Sequence, residues 1–418
     1  MFDPIKASKE IKDSYIDYIT TTFDMADTDY EREFRKELQT DGTVASGPFL
    51  DIGGSYETGH TLRELIQAQK ASVLFESLEP VAEKERELKL DRPLYQHQEA
   101  AMLKAGKGEN LVVTTGTGSG KTESFLLPII DHLLREQEAG TLSAGVRAII
   151  IYPMNALAND QMKRMRALFK NYPQICYGVY NGNTEHTQSK ALAEYHRTYH
   201  DEAGEPIDPA PNEIISREIM QEKPPHILIT NYSMLEYMML RPKDDAVFSG
   251  AKLKFIVLDE AHIYKGATGM ETSLLMRRLR ARISEPDSVQ YILTSATLGG
   301  PDADGDILSF AEKLCGVAFQ RSGIIRSTEK RPAMEDYLDF APALFEELQK
   351  SPDISSVLAR YHADFAPGGS EDEKLYALFL HSRLFALLRK VAHQPITVAQ
   401  LCPVSYTHLR AHETEADL

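Results

Sequence analysis

From Leu94 onward, short apolar runs alternate with segments whose apolar residues recur at helical spacing. The runs lie at 111–115, 148–153, 175–180, 226–231, 254–258 and 291–295, and most end at Gly, Pro, Asn, Asp or Ser. Continuous Val/Ile/Leu strands joined by helices predict a parallel sheet buried on both faces. The expected fold class is therefore α/β with a central parallel sheet, flanked by N- and C-terminal helical segments. Residues 1–90 read as an N-terminal helical region in which Ile11, Tyr15, Ile16, Tyr18 and Ile19 share a face, with a break at 41–48 and a second helical stretch at 61–77. Leu, Phe and Ala at helical spacing predict further helices across 336–400. One interval, 182–225, breaks the rhythm with a long polar stretch containing Pro209-Ala210-Pro211; a connection of that length is functional or disordered.

Ligand sites of open parallel sheets lie at the carboxyl ends of the strands, and two of those ends carry chemistry. Leu111-Val112-Val113 leads into Thr114-Thr115-Gly116-Thr117-Gly118-Ser119-Gly120-Lys121-Thr122, and a helix-like segment follows. The spacing from Gly116 to Thr122 fits G-x-x-x-x-G-K-[ST]. In such a cradle the backbone N–H groups of Thr115 through Gly120 turn inward on phosphates, Lys121 places a cation on the β/γ oxygens, and Thr122 offers a hydroxyl to Mg²⁺. A flexible Gly/Thr/Ser turn is the alternative; the strand before and the helix after favour the cradle. Phe255-Ile256-Val257-Leu258 runs into Asp259-Glu260-Ala261-His262. Two carboxylates at a strand end suit metal-assisted phosphate hydrolysis, with Asp259 holding Mg²⁺ through its water shell, Glu260 orienting and deprotonating the attacking water, and His262 linking the site to its neighbours.

Together these stretches resemble the first RecA-like domain of superfamily 2 helicases with a DEAH box. Leu94-Tyr95-Gln96-His97-Gln98 resembles the adenine-reading element, which assigns Gln98 to the base, and Ser295-Ala296-Thr297 resembles the coupling motif, joined to His262. Tyr152-Pro153-Met154-Asn155-Ala156-Leu157 and Thr230-Asn231-Tyr232-Ser233-Met234-Leu235 resemble the two strand-gripping loops, which assigns Pro153, Asn155, Thr230 and Asn231 to nucleic acid. More narrowly, Asn155 to Gln161, Tyr264-Lys265-Gly266 and Leu275 to Leu279 are similar to bacterial MrfA-like (YprA-like) DNA helicases, enzymes of repair or their relatives in phage defence. The resemblance implies a P-loop NTPase fold, ATP and Mg²⁺ as cofactors, and DNA rather than RNA as partner. It gives residues 91–322 as the ATP-binding domain. Lys163, Arg164, Arg166 and Lys170 form one basic cluster, and Arg277, Arg278, Arg280 and Arg282 another; each is either a phosphate contact or a solvated helix face. His196 and His200, four apart, have a spacing that zinc can use, without a third ligand of known placement.

Composition narrows the classes. At 418 residues with 42% hydrophobic residues the chain can bury a sizeable core, and its net charge of −16 argues against a uniformly basic protein that coats nucleic acid. Cys176, Cys315 and Cys402 form no C-x-x-C pair, so neither a disulfide framework nor a four-cysteine zinc site is expected. No apolar run reaches bilayer length, and the charged start is unlike a signal peptide, so the expected location is cytoplasmic with no membrane partner. No Gln-x-x-Gly-Arg-x-Gly-Arg-like run follows Thr297, so residues 323–402 read as a helical start to an absent second motor half. Residues 403–418 read as a non-native tail, because Val404 to Thr414 resembles the translation of a transposase-type sequencing adapter. The expectation is an ATP-dependent helicase or translocase represented by its ATP-binding half, which binds nucleotide and hydrolyses it poorly. The alternative is a nucleotide-dependent nucleic-acid-binding scaffold that does not unwind.

Overall fold

The structure, a computed structural model, describes residues 3–23, 25–40, 42–50, 56–79, 88–116, 118–201, 204–296, 299, 301–330, 337–392 and 396–397. Its contacts divide the chain into two compact units, Tyr56–Glu329, and Met1–Ser55 together with Lys330–Leu418. In the first unit lie the strands β1 (Leu111–Thr114), β2 (Ala148–Ile151), β3 (Tyr177–Tyr180), β4 (Glu213–Ile214), β5 (Ile227–Thr230), β6 (Phe255–Leu258), β7 (Gln290–Ser295) and β8 (Ile324–Arg326). They form one parallel sheet in the order β8-β1-β7-β6-β2-β5-β3-β4. Each of the six runs expected from the sequence forms a strand within two residues of its expected bounds. β4 and β8, at two and three residues, are too short to leave a pattern.

Alternation within the strands explains the two layers of helices. Leu111, Val113, Ile150 and Val257 point into one core, where α1 (Gln96–Ala105), α2 (Lys121–Glu138) and α3 (Asn155–Phe169) contribute Met102, Phe125, Ile129 and Met165. Val112, Ile149, Ile256 and Leu258 point into the opposite core. There α6 (Tyr232–Leu240), α7 (Gly266–Arg282) and α8 (Asp304–Cys315) bring Leu235, Met276 and Leu314. The long polar interval is ordered as α4 (Gln188–Thr198), β4 and α5 (Arg217–Glu222). Buried Asn212 pins it, its amide nitrogen donating to the carbonyls of Phe169, Tyr172 and Ile175 at 3.3, 3.2 and 2.9 Å. Residues Thr58–Thr61 pair antiparallel with Pro93–Tyr95, and Leu62, Leu65, Phe75 and Leu78 enter the first core, so the stretch from Tyr56 packs with the sheet.

The second unit holds helices Pro4–Thr22, Thr28–Gln39, Pro342–Lys350, Ile354–Arg360, Glu371–His381 and Arg383–Val391. Phe49–Leu50 pairs antiparallel with Ile396–Thr397, and Leu344, Leu348, Val357, Leu358 and Leu378 share a small core. Residues 403–418 lie outside the described residues.

At the amino-terminal edge of the sheet, away from the strand ends that carry the motifs, sits a buried charged knot. Arg147, with no exposed side-chain surface, donates from Nε to Glu136 at 2.9 Å and from its guanidinium to the Gly145 carbonyl at 2.7 Å. His226 Nδ1 accepts from the Cys176 N–H at 2.9 Å, which leaves Nε2 to donate to the Ser143 carbonyl at 3.2 Å. Burial, reinforced by the Arg147 charge, pushes the His226 pKa from 6.5 down to about 4. Two outcomes follow. Glu136→Ala strands a buried guanidinium and should cost about 3–5 kcal/mol in urea unfolding; a loss under about 1 kcal/mol would show that Arg147 finds another partner. The unfolded histidine takes up a proton near pH 6.5 but the folded one only near pH 4. Its stabilising contribution is therefore complete above pH 6.5 and drains away by pH 4, a change of roughly 3 kcal/mol. His226→Asn should flatten that part of the stability profile, and an unaltered slope would assign it to other groups.

Candidate active site

β1, β7 and β6 lie side by side, with Thr114 opposite Ser295 and Leu293 opposite Leu258. The segment after β1, the end of β7 and the acidic pair after β6 therefore emerge within two strand spacings, roughly 10 Å.

The cradle is built on backbone. Thr115 N–H donates to the Ser295 carbonyl at 3.2 Å, and the buried hydroxyls of Thr115 and Ser119 meet at 2.7 Å. Gly120, at φ +71°, is the N-cap of α2, and this left-handed turn, which glycine adopts freely, directs the unpaired N–H groups of the helix start toward the cradle. At Gly116 a Cβ would lie 2.9 Å from the Tyr56 hydroxyl, so glycine admits that phenol. Tyr56 stands edge-on to Tyr95 and His97 at ring distances of 5.5 and 5.7 Å. Burial lowers the His97 pKa, and the neutral ring donates from Nε2 to the Ser119 carbonyl at 2.8 Å. Gln98 is also buried: its amide nitrogen donates to the Gly120 carbonyl at 3.0 Å, and its oxygen accepts from Tyr95 N–H at 3.0 Å. Both ends of the side chain that the resemblance assigns to adenine thus hold backbone, one capping α1 and one fixing the cradle. Thr117 lies outside the described residues.

Across the cleft, the Thr294 hydroxyl donates to the Asp259 carboxylate and accepts from Glu260 N–H at 3.3 Å. Burial raises the Asp259 pKa against the opposing pull of Thr294, which describes a desolvated carboxylate that gains from a nearby cation. Glu260 sits at φ +48°, a left-handed conformation costing a non-glycine residue about 1–3 kcal/mol. So placed, it reaches Lys121 Nζ with Oε1 at 3.1 Å. Its Oε2 stands 3.3 Å from His262 Nδ1, within ion-pair reach, yet takes no hydrogen bond among the described residues. His262 Nδ1 in turn lies 3.2 Å from the Ser295 hydroxyl. One chain of contacts therefore runs from Lys121 through Glu260, His262 and Ser295 back to Thr115. Thr122, the second residue of α2, and Asp259 offer a hydroxyl and a desolvated carboxylate, an oxygen set suited to Mg²⁺. Thr297 lies outside the described residues.

The loops after β2 and β5 meet. Asn231 donates from Nδ2 to Asn155 Oδ1 at 2.8 Å, while its oxygen caps α6 at Met234 N–H, 2.7 Å away. Pro153 is partly exposed beside them. Thr230 is not with them: it is buried, and its hydroxyl donates to the Tyr180 carbonyl at 2.7 Å, tying β5 to β3. The arginines of both basic clusters are engaged within the protein. Arg164 pairs with Glu123, and Arg166 grips Glu213 with two bonds of 2.8 and 2.7 Å. Arg277 donates to the Ser273 and Lys313 carbonyls, and Arg278, Arg280 and Arg282 pair with Glu236, Asp287 and Asp245. His196 pairs with Asp208 at 2.7 Å, and no group of three or more metal-ligating side chains occurs among the described residues. Sequence reasoning missed Thr294, Tyr56 and the roles of His97. Thr294 stands next to the quoted Ser295, but Tyr56 is linked to the cradle only through folding.

A family model described as DEAD/DEAH box helicase matches residues 95–203 and 204–304, half of the chain. Druantia protein DruE of Escherichia coli is 33% identical over 78% of this chain and 22% of its own length. The uncharacterized ATP-dependent helicase YprA of Bacillus subtilis is 30% identical over 52% of this chain and 24% of its own. The chain thus spans about a fifth to a quarter of the length of these relatives. A crystal structure of the DUF1998 helicase MrfA bound to DNA overlays on 70% of this chain and 31% of its own, at 23% identity and a TM-score of 0.46. No helix among the described residues is long and apolar enough to cross a membrane. With the cradle and the acidic strand end joined across one sheet edge and the family model spanning both, this chain belongs to the DEAD/DEAH box helicases.

Proposed function

We propose that this chain binds ATP and Mg²⁺ as the nucleotide-binding half of a motor, and that the whole protein hydrolyses the nucleotide to drive movement along nucleic acid, DNA in preference to RNA. The observation that carries this is the 3.1 Å contact of Lys121 with Glu260, which brings the phosphate-binding cation and the candidate base to one point. Lys121 exchanges Glu260 for phosphate oxygens when nucleotide enters, and the released carboxylate orients water and accepts its proton. Among the described residues Glu260 Oε2 is buried and takes no hydrogen bond, which supports reading it as the atom that accepts the proton. Thr122 and Asp259 would hold Mg²⁺, which would supply positive charge to the phosphates. The helix start after Gly120 supplies further N–H donors.

The neighbouring loops supply the track. Asn155 and Asn231 present neutral amides at adjacent strand ends, suited to backbone contacts that ignore sequence. The preference for DNA rests on the likeness to MrfA-like and YprA-like helicases, and the use of ATP also agrees with the name of YprA. Hydrolysis by the whole protein, its strand substrate and a cytoplasmic location belong to the same reading.

In the 418-residue chain, Glu260→Gln should leave nucleotide binding within about twofold while lowering single-turnover hydrolysis at least about 100-fold, whereas Lys121→Ala should weaken binding itself. Turnover unchanged by Glu260→Gln would remove the residue from its role and favour the scaffold reading. For the substrate, competition between DNA and RNA single strands of one sequence should favour DNA. Tighter binding to RNA would overturn that choice while leaving the ATP site intact.

A further inference from the structure

Beside the strand-gripping loops lies a cleft of about 180 Å³, walled by α3, α4 and the turn that follows β3. Three features define what it would take. The first is position. Asn155, Asn159, Met162 and Arg166 are spaced four, three and four apart and form one stripe on α3, so the cleft opens about 6 Å, one helical turn, from the Asn155–Asn231 contact. Its other wall, Asn181 to Glu185, leaves the carboxyl end of β3 and so lies at the same sheet edge.

The second feature is rigidity. Asn181 N–H donates to Thr184 Oγ at 2.9 Å, Asn183 N–H to Asn181 Oδ1 at 2.9 Å, and Thr184 Oγ to the Val179 carbonyl at 2.8 Å. Arg217 braces the turn from behind with a 2.9 Å bond to the Asn181 carbonyl. On the opposite wall the Arg166 guanidinium lies 4.3 Å from the Tyr199 ring centre and 5.3 Å from that of Tyr195. A preformed wall of this kind binds without first paying for its own ordering.

The third is charge and hydrogen-bonding capacity. Arg166 is neutralised by Glu213, and Glu194 by Arg197 at 2.6 Å. Glu185 has no ion pair among the described residues, so the cleft is mildly acidic and repels phosphate. The side-chain amides of Asn159 and Asn183 take no hydrogen bond among the described residues. Flat ring and guanidinium surfaces, two unengaged amides and a carboxylate acceptor fit a neutral planar heterocycle with an exocyclic amino group.

We infer that this cleft receives one unstacked nucleobase from a single strand lying across the Asn155–Asn231 loops, and favours bases that carry an exocyclic amine. The inference rests on the nucleic-acid reading above and adds a base contact to a grip that otherwise touches only the backbone.

The test measures the affinity of the 418-residue chain for three labelled strands of about twelve nucleotides: oligo-dC, oligo-dT and an abasic backbone. The wild-type chain should bind oligo-dC about tenfold more tightly than the abasic strand, and more tightly than oligo-dT. The double substitution Asn159→Ala with Asn183→Ala, both at exposed positions, should bring all three affinities within about twofold while keeping the abasic strand bound. Equal affinities for the wild-type chain would overturn the base cleft and leave the backbone grip standing, as would a preference for oligo-dC that survives the double substitution. Failure to bind any of the three would overturn the nucleic-acid reading, and the cleft's occupant with it.

Discussion

The ion pair between Lys121 and Glu260 is the constraint on which the site depends, because its partners come from strands that do not touch. β7 separates β1 from β6, so the pair forms only if the three strands keep their register and both flanking turns bend inward. Glycine makes the first bend at Gly120 without penalty, but the second is made by a glutamate in a left-handed conformation. Such a residue persists where its surroundings over-determine it. Thr294 provides that surrounding, holding the Asp259 carboxylate and the Glu260 N–H with one hydroxyl. The pair is mostly shielded, with side-chain exposures of 11% and 26%, so Lys121 without Glu260 would be a largely buried charge without that partner. The arrangement is thus held together by a contact between a cation and a carboxylate that a competing anion can exchange.

The order of the strands divides the sheet edge into two halves. β1, β7 and β6 carry the cradle, Ser295 and the acidic pair, while β2, β5 and β3 carry Asn155, Asn231 and the Asn181 turn. The halves adjoin at β6 and β2, where Asp259 N–H donates to the Ile151 carbonyl at 3.1 Å. A second link lies between helices. Glu123, next to Thr122 on α2, pairs with Arg164 on α3, the helix that begins at Asn155. One partly buried ion pair therefore joins the helix of the cradle to the helix that carries the neighbouring loop.

Much of this was legible in the sequence because its signals are local. Six buried strands announced themselves as Val/Ile/Leu runs, and the cradle and acidic pair each occupy one turn at a strand end. What stayed hidden depends on where side chains point. Thr230 resembles a gripping residue in the chain and is turned into the sheet by the strand alternation. Gln98 is spent on backbone because α1 begins two residues before it and needs a cap. The two arginine clusters look like phosphate contacts, but their carboxylate partners lie 41 residues away for Arg164, 47 for Arg166 and 42 for Arg278. No window of sequence reveals such pairings, and the same holds for Tyr56 above Gly116.

Those pairings also bear on how an acidic protein with a net charge of −16 can hold a polyanion. Counterion release by exposed lysines and arginines is the usual source of affinity, and it scales with the number of phosphates neutralised. Here Arg166 is locked to a carboxylate whose side chain is 1% exposed, and breaking that pair would strand Glu213 in the interior. The exposed pairs of Arg278 and Arg282 cost little to exchange, and Glu236, the partner of Arg278, lies on α6, the helix that Asn231 caps. Lys163, on the α3 helix that begins at Asn155, is exposed and takes no ion pair among the described residues, so the positive charge open to exchange beside the two loops is confined to a few side chains.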